Sequence, residues 1–194
     1  MKIYDISQEL LNCNVFPGDK KPQGTQVSHI AQGSLYNLTN IAMCVHNGTH
    51  VDSPYHFIDN GKTIDELDLN KCIGLATVVE ANGELTQMHI KELMSNSEKR
   101  LLIKGDITIS LEAAIEMNNQ GINLIGVEGL TVGPMNTPLP IHVELLSKEV
   151  VIIEGLRLSH VPCGNYFLFS APLNIAGADG SPCRSILVEG LTTL

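Results

Sequence analysis

Tryptophan is absent from the 194 residues, and the other aromatics amount to four phenylalanines and four tyrosines. So few planar side chains exclude a platform on which nucleic-acid bases could stack. Positive charge is scarce as well: 12 Lys and Arg against 21 Asp and Glu leave a formal net charge of -9, which repels nucleic acid and anionic membrane surfaces. No apolar run reaches the ~18–20 residues of a membrane span, and the opening MKIYDISQEL lacks the apolar stretch of a secretory leader. These absences point to a cytoplasmic protein that meets small molecules or other proteins, with neither nucleic acid nor membrane as a partner.

Cysteine is present but unpatterned. The five residues Cys13, Cys44, Cys72, Cys163 and Cys183 are odd in number, widely spread and form no C-x-x-C pair. That suits neither a disulfide framework nor a cysteine zinc site, and they are expected to be reduced thiols that mostly fill core space.

What the chain does hold is 43% hydrophobic residues, enough to rule out disorder. It is long enough for one sizeable core, so residues 1–194 are read as a single domain. Short β-branched runs bounded by Gly, Pro, Asn or Asp recur, among them KIYDIS, TQVSHIA, LTNIAMCV, LATVVE, RLLIK, INLIGV, VVIIEG, YFLFSAP and SILVEG, and each predicts a strand. SLEAAIEMNNQG is the clearest helix, with Ser110 placed to cap it and Gly121 to end it; HIKELMSN and LPIHVELLSKE are two more. The first eighty residues read as β-hairpins with hardly any helix, whereas residues 110 to 127 read as a helix-to-strand step of a layered α/β fold.

Three of the seven histidines crowd into HNGTHVDSPYHF, residues 46–57. His46, His50, Asp52 and His56 share parity and would project to one side of an extended chain, but ten residues of strand would span ~33 Å, much too far for donors that each sit ~2 Å from one ion. The backbone therefore has to curl, and Gly48 and Pro54 are the residues that allow it; strand, bend and loop are expected in place of a helix. Imidazoles with a carboxylate and no thiol are the donor set of a catalytic Zn²⁺ site or one for a similar transition metal.

This run resembles the H-x-G-T-H-x-D-x-P-x-H signature of the cyclase family of metal-dependent hydrolases, which includes bacterial kynurenine formamidase. A distant stretch, IHVELLSKEVVIIEGL, is similar to the family's downstream segment, and VFPGD and APLNIAGADGSPCRSIL are also family-like. The resemblance implies a swivelling β/β/α domain of the α/β class, with a mixed β core or barrel-like sheet and peripheral helices. It further implies that His46, His50 and Asp52 hold one metal, that His142 holds a second, that Asp52 and Glu154 bridge the two, and that His56 acts as the acid-base group, with a third ligand on the first ion as its alternative role. Without the resemblance, His142 and Glu154 would pass as ordinary helix and strand residues. The implied cofactor is Zn²⁺, two ions per chain, or Mn²⁺, and the implied assembly is a homodimer or homotetramer.

One departure from the family bears on substrate. Where kynurenine formamidases carry W-P-G-D with the tryptophan lining the pocket, this chain has Phe16-Pro17-Gly18-Asp19, a smaller ring without an N–H donor. The expected activity is hydrolysis of a C–N bond in a small amide, foremost an aryl formamide such as N-formylkynurenine. The alternatives are ring opening of a cyclic amide or imide, as in the related isatin hydrolases, and a binding protein that keeps the metal but does not turn over.

Overall fold

The computed structural model describes residues 1–190. Three long-range pairings account for its frame. β1 (Lys2–Asp5) lies antiparallel to β13 (Ile186–Glu189), so the two ends of the chain share one edge of a nine-stranded sheet. β4 (His50–Asp52), although early in the chain, lies between two late strands, β10 (Val151–Glu154) and β12 (Gly180–Pro182), antiparallel to both. β11 (Gly164–Phe169) joins β13 to β5 (Ile73–Glu80), again antiparallel.

The middle of the sheet is parallel. β5, β7 (Arg100–Lys104), β9 (Leu124–Val127) and β10 run side by side, and the chain returns between them through α2 (Gln87–Met94), α3 (Leu111–Asn119) and α4 (Leu139–Leu146). A one-turn α1 (Leu69–Cys72) leads into β5. Two small sheets lie outside the frame: β2 (Gln23–Ser28) with β3 (Leu38–Ala42), antiparallel, and β6 (Gly83–Leu85) with β8 (Ile107–Ile109), parallel.

Alternation along the parallel strands explains why they read as continuous apolar runs. Leu101 and Ile103 of β7, Ile125 of β9 and Ile152 of β10 pack with Ile90, Met117 and Leu145 from the helices, whereas Leu102, Leu124 and Ile153 join Ile6, Val51 and Leu168 on the opposite face. Both faces are thus buried, as parallel strands require, and each enclosed Leu or Ile contributes about 1.5–3 kcal/mol. The predicted helix punctuation holds: the Ser110 side chain accepts from the Ala113 amide, and Gly121 takes φ +68°.

All nine predicted strands and all three predicted helices are present in a mixed α/β architecture. Three expectations change. Of the hairpins foreseen in the first eighty residues only β2–β3 forms, because β1 and β4 pair with strands from the far end of the chain. The histidine run is bend, short strand and 3-10 turn (Pro54–His56), not strand, bend and loop. The cysteines are free, but only Cys72 is buried outright, and Cys163 is exposed, so they do not mostly fill the core. Among the described residues no helix is long and apolar enough to cross a membrane.

Candidate metal centre

A tight bend precedes β4. The Asn47 amide donates to the Cys44 carbonyl at 3.1 Å, the Cys44 amide donates to Asn47 Oδ1 at 3.0 Å, and Gly48 supplies the left-handed φ of +70°. The Thr49 hydroxyl then donates to the Gly155 carbonyl at 2.7 Å, fastening the bend to the end of β10. Within β4, His50 and Asp52 point to one side and Val51 to the core, which is what alternation demands. Glu154 stands directly opposite His50 across the β4–β10 ladder, and paired positions share a face. The sheet itself therefore brings three of the donors together.

Two more groups arrive from other elements. The 3-10 turn that Pro54 starts is closed by the His56 amide donating to the Ser53 carbonyl at 3.0 Å, and it folds His56 back so that its ring stacks on His46 with centroids 3.9 Å apart. In α4, His142 donates from Nδ1 to the Pro138 carbonyl at 2.9 Å, which leaves Nε2 facing Glu154 Oε1 at 3.2 Å and Asp52 Oδ2 at 3.7 Å. His50 is held the same way, Nδ1 on the Gly48 carbonyl at 3.0 Å, with Nε2 3.4 Å from Asp52 Oδ1 and 3.5 Å from Glu154 Oε2. Metal-binding histidines are commonly oriented like this, one ring nitrogen donating to a carbonyl and the other left with a free lone pair.

The spacing suits cations. Two donors each ~2.1 Å from a tetrahedral ion lie ~3.4 Å apart, close to the separations of both Nε2 atoms from the carboxylates. Asp52 is 1% exposed, and its Oδ2 is buried with no hydrogen-bond partner, a loss of over ~1 kcal/mol unless something positive sits there. Two groups of donor atoms lie within 4.8 Å of one another: His50, Asp52 and Glu154, and His46, Asp52 and His56. Asp52 belongs to both. The residues present thus fit a bound metal ion.

Protonation tells the same story from the other side. Burial opposes charge on His46, His50 and His142, yet hydrogen bonds and opposite charge from the Asp52 and Glu154 carboxylates outweigh it, so all three imidazoles are raised, His50 well above the usual histidine value. Burial likewise opposes ionisation of Asp52, and hydrogen bonds from His46 and His50 overcome it, holding the carboxyl well below its usual range. His56 differs. Burial dominates and lowers it, leaving a neutral ring at neutral pH.

All seven residues singled out from sequence meet here, since a cavity of about 390 Å³ is lined by Phe16, His46, His50, His56, His142 and Glu154, with Asp52 bonded beneath them. His56 lies within ligand distance of Asp52, and His50 sits midway between the two carboxylates rather than beside His46 alone. One residue was not foreseen. Asp179, just before β12, accepts at Oδ2 from His46 Nε2 at 2.9 Å and lies 3.3 Å from His56 Nδ1. A single aspartate in the GADG turn has no spacing pattern to signal it. Phe57, beside His56, lies against His142 with centroids 4.5 Å apart.

Residues 4–134 match the family model described as Putative cyclase. The kynurenine formamidase of Salinibacter ruber is 32% identical over 206 residues, covering 96% of this chain and 97% of that one. A solved structure described as a potential metal-dependent hydrolase with cyclase activity superposes with a TM-score of 0.84 at 29% identity, covering 96% of both chains. Isatin hydrolase A from Labrenzia aggregata shares the fold, with a TM-score of 0.81 at 22% identity over 96% of this chain and 93% of that one.

Proposed function

The chain belongs to the cyclase family, and on that premise we propose that residues 1–194 form a single metal-dependent hydrolase domain that cleaves the C–N bond of a small amide, foremost an aryl formamide such as N-formylkynurenine. Hydrolysis of an amide by a metal-dependent enzyme is the activity that the names of its relatives support. The observation that carries the site assignment is the buried Asp52 carboxylate, its Oδ2 without a hydrogen-bond partner, which faces His50 at Oδ1 and His142 at Oδ2, two imidazoles whose other nitrogens are tied to carbonyls. His46, His50 and Asp52 are assigned to one ion and His142 to a second, with Asp52 and Glu154 shared. Zn²⁺ is the preferred ion, and Mn²⁺ is compatible with the same donors. A cytoplasmic homodimer or homotetramer completes the reading.

Divalent cations held there would acidify a water molecule and polarise the scissile carbonyl. The chain supplies the rest. His56, neutral because burial lowers it, takes a proton from the attacking water and returns it to the amide nitrogen as the C–N bond breaks, so that formate and a free amine leave. Asp179, 3.3 Å from His56 Nδ1, orients that ring so that Nε2 is the nitrogen that shuttles the proton. Phe16 and Phe57 give the cavity apolar walls on which an aryl group can rest.

Formanilide, N-formylkynurenine and isatin, assayed side by side with Zn²⁺ or Mn²⁺ added, test the proposal. Turnover of the two formamides and not of isatin is expected. Isatin as the preferred substrate would transfer the site to cyclic-amide opening, and metal binding without hydrolysis of any of the three would make the protein a binding module.

A further inference from the structure

Two hollows meet beside the metal centre. The catalytic cavity and a groove of about 830 Å³ share Asp19 and Cys44 in their walls, and beyond that strait the groove is lined by Lys20, Lys21, Gln23 and Met43. One loop builds the passage in chain order. Phe16 lies against the cavity, the Asp19 amide donates to the Phe16 carbonyl at 3.1 Å, Gly18 takes the φ of +103° that this turn needs, and the two lysines follow at once. The apolar wall and the cations are thus fixed to one short piece of backbone.

Charge sets the groove apart. Of the 12 Lys and Arg in the chain, two stand side by side here, and both are exposed. Among the described residues the ion pairs of Lys and Arg are made by Lys62, Lys71, Lys104 and Arg184, so Lys20 and Lys21 keep their charges unpaired. Asp19 is the one acid in the groove wall among the described residues, and from Pro22 to Val51 the chain holds no further Asp, Glu, Lys or Arg. Two lysines against one aspartate leave the groove positive in a protein whose net charge is -9.

We propose that Lys20 and Lys21 select substrates whose amine half carries a carboxylate, the aryl ring resting on Phe16 while the carboxylate reaches past Asp19 and Cys44 into the groove. The inference rests on the amide-hydrolase reading of the site. The reaction decides which half bears the tail: a formyl group ends in hydrogen and has nothing to extend, whereas the ring of the leaving amine can be substituted. Room argues for a tail as well. The cavity of about 390 Å³ is enough for a small aryl formamide, and the adjoining groove adds space that only a longer molecule would fill. Unpaired lysines in an otherwise negative field draw an anion to this spot and away from the rest of the surface. Because the tail lies away from the reacting atoms, its effect falls on binding and so on KM.

Calorimetric titration of the Zn²⁺-loaded full chain with desaminokynurenine, an aryl amine whose tail ends in a carboxylate, and with its uncharged primary amide reads the subsite without turnover. At low ionic strength the acid should bind ~3–30-fold more tightly, the worth of one or two exposed ion pairs. Lys20→Ala/Lys21→Ala should bring the two affinities within ~2-fold, and Lys91→Ala, at an exposed lysine of α2, should leave the preference as it is. Equal affinities or no binding of either compound, a preference that survives the double variant and so belongs to the metal, or one lost with Lys91→Ala would each overturn the proposal. Formanilide hydrolysis by the same samples tests the amide-hydrolase assignment separately. Turnover without acid preference sinks only the subsite, and acid preference without turnover of any formamide sinks only that assignment.

Discussion

Replacing Asp52 with asparagine tests the metal centre with the least change of shape. The carboxamide keeps an acceptor near His46 Nδ1, where Asp52 Oδ1 now lies at 2.9 Å, but removes the negative charge. At an effective dielectric of ~20, a unit charge at ~4 Å attracts a divalent ion by ~8 kcal/mol. If the amide dipole recovers about half, the net loss is ~4 kcal/mol, or ~10³-fold in affinity. Metal at ~100 times its Kd raises wild-type stability by ~2.7 kcal/mol, and a chain of this length gains ~5–11 °C in Tm from that. For Asp52→Asn at the same concentration the gain falls below ~0.1 kcal/mol, too small to see. Thermal melts with and without Zn²⁺ read the difference directly. A variant that keeps several degrees of metal-induced shift would remove Asp52 from the ligand set and refute the reasoning.

Further outcomes follow from other residues. His56→Ala should retain the metal-induced thermal shift while hydrolysis falls ~10²–10⁴-fold; equal loss of metal would turn His56 from a proton carrier into a ligand. Gly180 faces Asp52 across the β4–β12 ladder, and a methyl group there would lie 2.6 Å from His46 Cε1 and 3.0 Å from the Val51 carbonyl. Gly180→Ala should therefore cost ~1–3 kcal/mol and ~10–100-fold in metal affinity, both measurable by calorimetry, and an alanine variant with wild-type metal titration would show that His46 is not a ligand. In chelator, the histidines raised in the folded state add stability that is complete below the unfolded value of ~6.5 and is lost as pH climbs through the folded values. Tm of the stripped protein should drop from pH 6.5 upward while the increment from added Zn²⁺ widens, since the ion displaces those protons; an increment constant from pH 6 to 9 would contradict this. The depressed carboxyl of Asp52 works in the opposite sense and only in acid, where its contribution vanishes as pH falls through its folded value.

The N-terminal donors were legible because they share one run. His50 and Asp52 are two apart on a strand, a spacing that places both on one face whatever the strand pairs with, and Gly48 and Pro54 marked where the backbone turns. His142 and Glu154 carry no such mark. Their place at the site comes from the pairing of β4 with β10 across a hundred residues and the packing of α4 over it, contacts that no local period records, so only family likeness brought them forward. Short length hid β6, β8 and β12, each three residues long, since alternation needs four or more positions to register. Long apolar runs such as those of β7, β9 and β10 were plain because burial on two faces makes the whole segment hydrophobic. The cysteines misled for a related reason: a residue type that is often buried says little about one particular place in a chain.

Because β4 is hemmed in by strands that are synthesised a hundred residues later, the ribosome makes the first part of the proposed ligand set long before the rest exists. Until Glu154 and Asp179 emerge, the nascent histidine run has neither its opposing carboxylates nor a partner for either edge of its strand, and pairings this distant close slowly. On the proposed assignment a product truncated before β10 would keep His46, His50 and Asp52 but lack Glu154, the carboxylate opposite His50.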